Sequence, residues 1–337
     1  LWGSIFYTSI NIPYGSMASA ISSDPKDRAD LSTWRTIGST LANMVIGVAT
    51  PMVAYVVVDG KTVMSGSRMT IIAGVFSICA ILCYIVCFKL TSERVEVPAS
   101  NQKISASAIF KSIFTNKALL GIIVAAIFVL LSQLTVLSLA GYVYPNVYGS
   151  AAAQSTASLL GTVVMLVVCA PFASKLSAKF GKKELAMGSS IFSALVWLVC
   201  LIWRPASVWG FVACYILANI GMGFFNTIIW AMITDVIDDA EVRNGVREDG
   251  TIYSVYSFAR KLGQAFSSGL VGALLGIIGY TEATAFDPVV TRGIFNMACI
   301  APIIGFVCIV LALAFLYPLN KKKVEENVAE LAARRNK

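Results

Sequence analysis

The sequence predicts an all-α integral membrane protein, a bundle of transmembrane helices. Three observations predict it. Of the 337 residues, 57% are hydrophobic and only 13% are charged, against about 25% charged in an ordinary soluble domain. So few charges cannot cover a water-facing surface. The apolar residues run in long blocks, each near the ~20 residues that cross a hydrocarbon core. The blocks are continuous, without the ~10-residue alternating segments of a membrane β-barrel.

Nine spans follow in order, at 1–22, 36–58, 69–90, 117–142, 150–174, 185–203, 207–234, 251–279 and 292–317. The first carries a polar face of Tyr7, Thr8, Asn11, Tyr14 and Gly15. Pro13 removes an amide donor there and frees a carbonyl, and broken helices line the midplane sites of carriers. The fourth span places Gln133 and Thr135 mid-membrane. The seventh sets Asn219, Gly223, Asn226 and Trp230 on roughly one face. An aromatic ring beside amides suits a sugar, and plain packing of Trp230 is the alternative.

The eighth span, 251–279, is the most informative. Lys261 lies ten residues in, about 15 Å deep at 1.5 Å per residue. Tyr253, Tyr256, Ser257, Lys261 and Gln264 fall on one helical face. Intramembrane charges are costly and face a cavity or a partner, so this stripe reads as the lining of a polar-solute cavity or as a polar helix–helix seam. Arg260 points elsewhere and either snorkels or pairs with a carboxylate.

Net charge is +8. The side holding the loop at 23–35 carries 20 of the 26 Lys and Arg, the other side carries four, and Arg260 and Lys261 lie within a span. That bias makes the first side cytoplasmic and accounts for the basic balance as topology rather than nucleic-acid binding. The C-terminus is then cytoplasmic. The loops on that side are dense in both signs, with Asp24, Asp27, Arg28, Asp30 and Arg35 in one and Asp235, Asp238, Asp239, Glu241, Arg243 and Arg247 in another. They read as solvated faces or as an ion-pair gate. Exposed pairs worth about 0–1 kcal/mol each suit a gate that must open.

Residues 91–116 form the longest polar loop, with three spans before it and six after. The expected organisation is a partial N-terminal half at 1–90, a central cytoplasmic loop at 91–116, a six-helix C-terminal half at 117–317 and a cytoplasmic tail at 318–337. The chain opens on Leu1 inside an apolar run. Two six-helix halves would make it nine helices of twelve, with the first three missing and residues 1–90 equivalent to helices 4–6.

Several function classes drop out. There is no His, which removes His-based triads and metal sites. No HExxH, GxSxG or GxxxxGK[ST] motif is present, so neither an enzyme nor ATP-driven transport is supported. The eight Cys form no CxxC pair and read as small buried hydrophobes. No Asp or Glu falls deep in any of the nine spans, which leaves cation coupling without a visible carboxylate.

Two segments carry a resemblance: NIPYGSMASAISSDPKDRADLSTWR at 11–35 and DVIDDAEVRNGVREDGTIYSVYSFARKLGQAFSSGLVGALLGIIGY at 235–280. They resemble the glycoside–pentoside–hexuronide:cation symporters, the melibiose-carrier-like branch of the major facilitator superfamily. Asp235, Asp238 and Glu241, then Arg247, Tyr253, Lys261 and the closing Gly279-Tyr280, look like the family signature. The resemblance implies a multi-pass carrier of the plasma membrane (the inner membrane of a bacterium), binding sugar between its halves and moving it with Na⁺, H⁺ or Li⁺ by alternating access. It assigns substrate contacts to Tyr7, Asn11, Gly15 and Arg35, and to Asn226, Tyr256, Ser257 and Lys261, to which the polar faces read above add Tyr14 and Trp230. The resemblance puts Thr8 at the cation site, and the loop charges make Asp24, Arg28, Asp235, Asp238, Glu241 and Arg247 the expected cytoplasmic gate. The family's known sugar carriers have Asp at the Asn11 position and Trp at the Gly15 position, which changes how sugar hydroxyls and ring faces are held. A small-molecule sugar or glycoside and membrane lipid are the expected partners of a monomer, with no nucleic acid, resident cofactor or metal. The alternatives are a lipid or lysolipid carrier of the same branch, an inactive fragment, or a non-transporting membrane protein.

Overall fold

A computed structural model describes residues 21, 25–58, 61–92, 116–245 and 249–335. The described chain is almost entirely helical. It divides into two compact units, one of Leu1–Val56 with Met64–Lys103 and one of Val57–Val63 with Ile104–Lys337.

In the first unit α1 (Pro25–Ala54) packs on α2 (Gly66–Leu90). The expected span at 36–58 is corrected here. The helix stops at Ala54, and the strands β1 (Tyr55–Val58) and β2 (Lys61–Met64) form a hairpin. Four successive residues of Tyr and Val favour a pleated backbone. Ser65 then caps α2 by accepting from the amide of Arg68. No described side chain of α2 is buried, and most of its apolar residues are exposed.

The second unit holds α3 (Lys117–Tyr142), prolonged by a π turn at Val143–Val147, and α4 (Ala151–Val164), joined through a π turn at Met165–Cys169 to α5 (Ala170–Phe180). It continues with α6 (Lys182–Trp203), α7 (Val208–Asn244), α8 (Asp249–Ile277), α9 (Pro288–Phe315) and α10 (Lys321–Arg335). Asn116, Ser150 and Ser207 cap α3, α4 and α7 through their side-chain oxygens, satisfying amides that a helix start leaves open.

The bundle closes on small residues, as lipid offers no hydrophobic drive between helices. A Cβ at Gly263 of α8 would lie 2.8 Å from the Ile127 carbonyl oxygen of α3. On the same seam Thr135 and Ser267, both buried, share a hydrogen bond of 3.2 Å. Gly305 of α9 rides on Ser132 of α3, and Gly221 of α7 sits against Ser189 and Ser193 of α6. The Ser193 hydroxyl donates to the Ala218 carbonyl at 2.8 Å.

Among the described residues six helices are long and apolar enough to cross a membrane: Gly66–Leu90, Lys117–Val147, Ala151–Cys169, Lys182–Trp203, Val208–Asn244 and Pro288–Phe315. Leu41–Ala54 is a shorter apolar stretch. Helix α8 forms where a span was expected, but its polar content keeps it out of that set. The expected span at 1–22 lies outside the described residues. The end of α7 is corrected: it runs ten residues past 234, so the charged residues Asp235–Arg243 are helix rather than loop, and the turn comes at Gly245, φ 71°. The tail expected at 318–337 contains an amphipathic helix, α10, whose Leu331 and Asn327 are buried.

Candidate functional site

Of the residues singled out in the sequence, Tyr7, Thr8, Asn11, Tyr14, Gly15, Asp24 and Arg247 lie outside the described residues. Arg28 and Arg35 belong to α1, with only their backbone described. The second unit holds the rest, and they fall into three groups along α7.

The first group is amide-rich. Asn226 of α7 donates to the Oε1 of Gln133 on α3 at 3.4 Å, which joins two residues that spacing alone left on separate helices. Two turns earlier Asn219 donates to the Tyr215 carbonyl at 2.8 Å. Ser132, Gln133, Tyr215 and Asn219 line a cavity of about 100 Å³, together with Trp197 and Phe306. Ligand pockets usually run to roughly 300–1,000 Å³, so this cavity by itself does not enclose a whole glycoside and offers its amides to part of one. Two residues expected beside the amides are packing residues instead. Thr135 is spent on the α3–α8 seam, and a Cβ at Gly223 would meet the Cys169 sulfur at 2.6 Å.

The second group sits where α7 meets α8. The rings of Trp230 and Tyr256 meet edge to face, with centroids 5.4 Å apart. Arg260, one turn after Tyr256, lays its guanidinium 5.5 Å from the Trp230 centroid and 5.8 Å from that of Tyr256. It also donates to the Tyr256 hydroxyl at 3.3 Å. The polar stripe of α8 therefore divides. Tyr256 is fully buried and turns with Arg260 toward α7, whereas Ser257, Lys261 and Gln264 share the adjacent, exposed face. The reading of Arg260 as snorkelling or carboxylate-paired is corrected: two aromatic faces hold it. Spacing alone does not reveal this placement, because one partner, Trp230, lies 30 residues away on another helix. The signal for the nearer one, an Arg four residues after a Tyr on a helix, was present.

One to three turns beyond Trp230 along α7 the acids are held, not solvated. Asp235 is 6% exposed and pairs with Lys182 at 2.6 Å. Asp239 is 1% exposed, pairs with Arg243 at 2.9 Å and accepts from the Asn327 amide of α10 at 3.1 Å. Lys183 donates to the Tyr317 carbonyl, and Arg334 to that of Val242 at 3.0 Å. Burial, followed by the nearby Asp235 and Asp239, pushes the Tyr317 phenol well above its ordinary value, so it stays a neutral donor to the Met232 carbonyl. Of the gate residues expected here, Asp235 has Lys182 as its partner. Asp238 and Glu241 lie half-buried on the same turns.

Six membrane-capable helices among the described residues, those of the second unit packed on small-residue seams, with ionisable groups gathered on a few polar faces, define a multi-pass membrane protein. The chain matches the model of the MFS/sugar transport protein family over residues 1–321 and belongs to that family. It is 31% identical to the uncharacterized symporter YjmB of Bacillus subtilis, over 98% of this chain and 71% of that protein. It is 28% identical to the glucuronide carrier protein homolog of Escherichia coli, over 98% and 71%. To the isoprimeverose transporter of Lactiplantibacillus pentosus it is 25% identical, over 96% and 69%. The family and these relatives are transporters, not enzymes.

Proposed function

We propose that this chain moves a sugar by cation symport through alternating access, in a bacterial inner membrane with its C-terminus cytoplasmic, and that the sugar is an acidic glycoside of the hexuronide type. The arrangement of Arg260 carries this reading. A guanidinium resting over the Trp230 and Tyr256 rings presents a planar fork that matches a carboxylate in two parallel hydrogen bonds. Lys261 adds a second positive charge on the adjacent exposed face of the same helix. Sugar CH faces stack on Trp230, and Asn226 with Gln133 supplies amides for hydroxyls. The name of the glucuronide carrier homolog supports an acidic cargo. Na⁺, H⁺ or Li⁺ would be the driving ion, with Thr8 among its ligands, and Asp235, Asp238 and Glu241 belong to the cytoplasmic gate.

A neutral glycoside is the second reading. The name of the isoprimeverose transporter favours it, as do the amides of Asn219, Asn226 and Gln133, which bond hydroxyls without needing a charge. Competition separates the two readings. Uptake of labelled glucuronide by cells expressing the chain is measured against unlabelled glucuronides and neutral xylosides, with and without an ionophore that collapses the cation gradient. Competition by glucuronides and loss of uptake with the ionophore support the proposal. Competition by xylosides alone rejects the acidic cargo, and uptake indifferent to the ionophore rejects symport.

A further inference from the structure

The flank of the second unit formed by α5, α6 and α7 carries a feature that sugar transport does not use. An apolar groove of about 470 Å³ is walled by Phe180 at the end of α5, Leu185, Gly188 and Phe192 of α6, and Ile220 and Phe224 of α7. Phe180 and Phe192 are 54% and 42% exposed. The groove exists because α6 has no side chain at Gly188: a Cβ there would meet nothing within 4 Å. From Glu184 to Phe192 it runs about 12 Å along the helix at 1.5 Å per residue, close to one leaflet of a hydrocarbon core about 30 Å thick.

One end of the groove is positively charged. Lys179 places its ammonium 5.2 Å from the centroid of Phe180, over the groove's own wall. Lys175, one turn earlier, shares that exposed face of α5. Lys321 of α10 reaches the same helix end and donates to the carbonyls of Ala178 at 2.9 Å and Lys179 at 3.3 Å. The other nearby lysines are occupied, Lys182 by Asp235 and Lys183 by the Tyr317 carbonyl. One acid lines the groove, Glu184. Its carboxylate folds back against Gly181 at the start of α6, where the helix dipole favours a negative charge.

We propose that this groove is a binding site for an anionic glycerophospholipid, one acyl chain lying along Gly188 between Phe180 and Phe192 and the phosphate held by Lys179 and Lys175. Charge complementarity selects that occupant. An acyl chain fills an apolar slot of one-leaflet depth, and the ammonium groups stand at the level where the headgroup phosphate lies. The lysines belong to the basic side of the chain, which faces the leaflet whose anionic lipids attract such clusters. The inference does not depend on which sugar is carried.

Native mass spectrometry of the detergent-purified chain tests it, with phosphatidylglycerol and phosphatidylcholine of equal chain length as probes. The expected result is retention of phosphatidylglycerol in preference to phosphatidylcholine. Retention falls about fivefold for each of Lys175→Gln and Lys179→Gln, while Arg292→Gln, a matched loss of charge at the other end of the bundle, leaves it unchanged. Gly188→Leu puts a branched side chain into the groove, its Cβ meeting nothing within 4 Å, and lowers retention of both lipids. Equal retention of the two lipids by the unmodified chain overturns the proposal. So does an undiminished preference in the double lysine variant, or an unchanged retention in Gly188→Leu.

Discussion

Replacing Arg260 by Gln separates a substrate role from a structural one. The side chain makes two aromatic contacts, at 5.5 and 5.8 Å, and one hydrogen bond of 3.3 Å. Cation–π contacts at a partly exposed position contribute about 0.5–1 kcal/mol each, and Tyr256 stays packed against Trp230 without the guanidinium. Fold stability should therefore fall by only about 1–2 kcal/mol. A charge-assisted hydrogen bond to a sugar carboxylate is worth about 1.5–3 kcal/mol. At about 1.4 kcal/mol per factor of ten, its loss raises KM for a glucuronide roughly 10- to 150-fold. A neutral sugar of the same size loses little, as it never made that bond. Arg260→Lys keeps the charge but not the planar fork, and should fall between Gln and Arg. The assay is initial-rate uptake of labelled glucuronide and labelled xyloside in right-side-out vesicles, with expression checked by immunoblot. Parallel losses for both sugars would refute the reasoning and assign Arg260 to packing. An unchanged KM for glucuronide would refute it equally.

Three further outcomes follow from particular contacts. Lys261→Ala abolishes uptake while membrane insertion, read by fractionation, stays normal; wild-type uptake by that variant removes Lys261 from the site. Gly263→Ala drives a methyl toward the Ile127 carbonyl 2.8 Å away and costs about 1–3 kcal/mol, seen as a lower thermal midpoint in detergent, while Gly188→Ala, which meets nothing, leaves that midpoint in place. Asn327→Leu strips the buried Asp239 of its amide donor at a cost of about 1–3 kcal/mol. It should release α10, so that limited proteolysis cuts the tail faster than in the unmodified chain; an unchanged cleavage rate shows that Arg334 and Leu331 hold the helix without Asn327.

Much of the fold was legible because a bilayer imposes length and polarity directly. The expected spans at 69–90, 117–142, 185–203 and 292–317 became helices with ends within a few residues. Misreadings arose where two physical signals compete. By sequence Asp235 marks the end of a span, since charge ordinarily marks water. Here Lys182 and Asn327 satisfy the acids, and the helix runs on until Gly245 supplies the left-handed turn. The run Tyr55–Val58 was absorbed into a span by its hydropathy. Yet Asp59-Gly60 between two β-branched runs is a hairpin signal, and it was readable beforehand. In the site, spacing placed Tyr256 and Lys261 on one face, but 500° of helical rotation separates them. The neighbouring α7 decides which of the two is covered.

By itself the sequence determined the class of this protein: a helical multi-pass membrane chain with a carrier-family signature around Lys261. Hydropathy, charge and motif spacing are properties of consecutive residues, and a bilayer reads them one segment at a time. Tertiary structure alone decided that Arg260 rather than its neighbour lies across Trp230 and Tyr256, that Gln133 answers Asn226, and that Asp239 is closed off by the tail. Those are contacts between residues 30 to 93 positions apart, set by where small residues such as Gly263 and Gly221 let helices approach. No pattern within a single helix encodes which face of its neighbour it will meet.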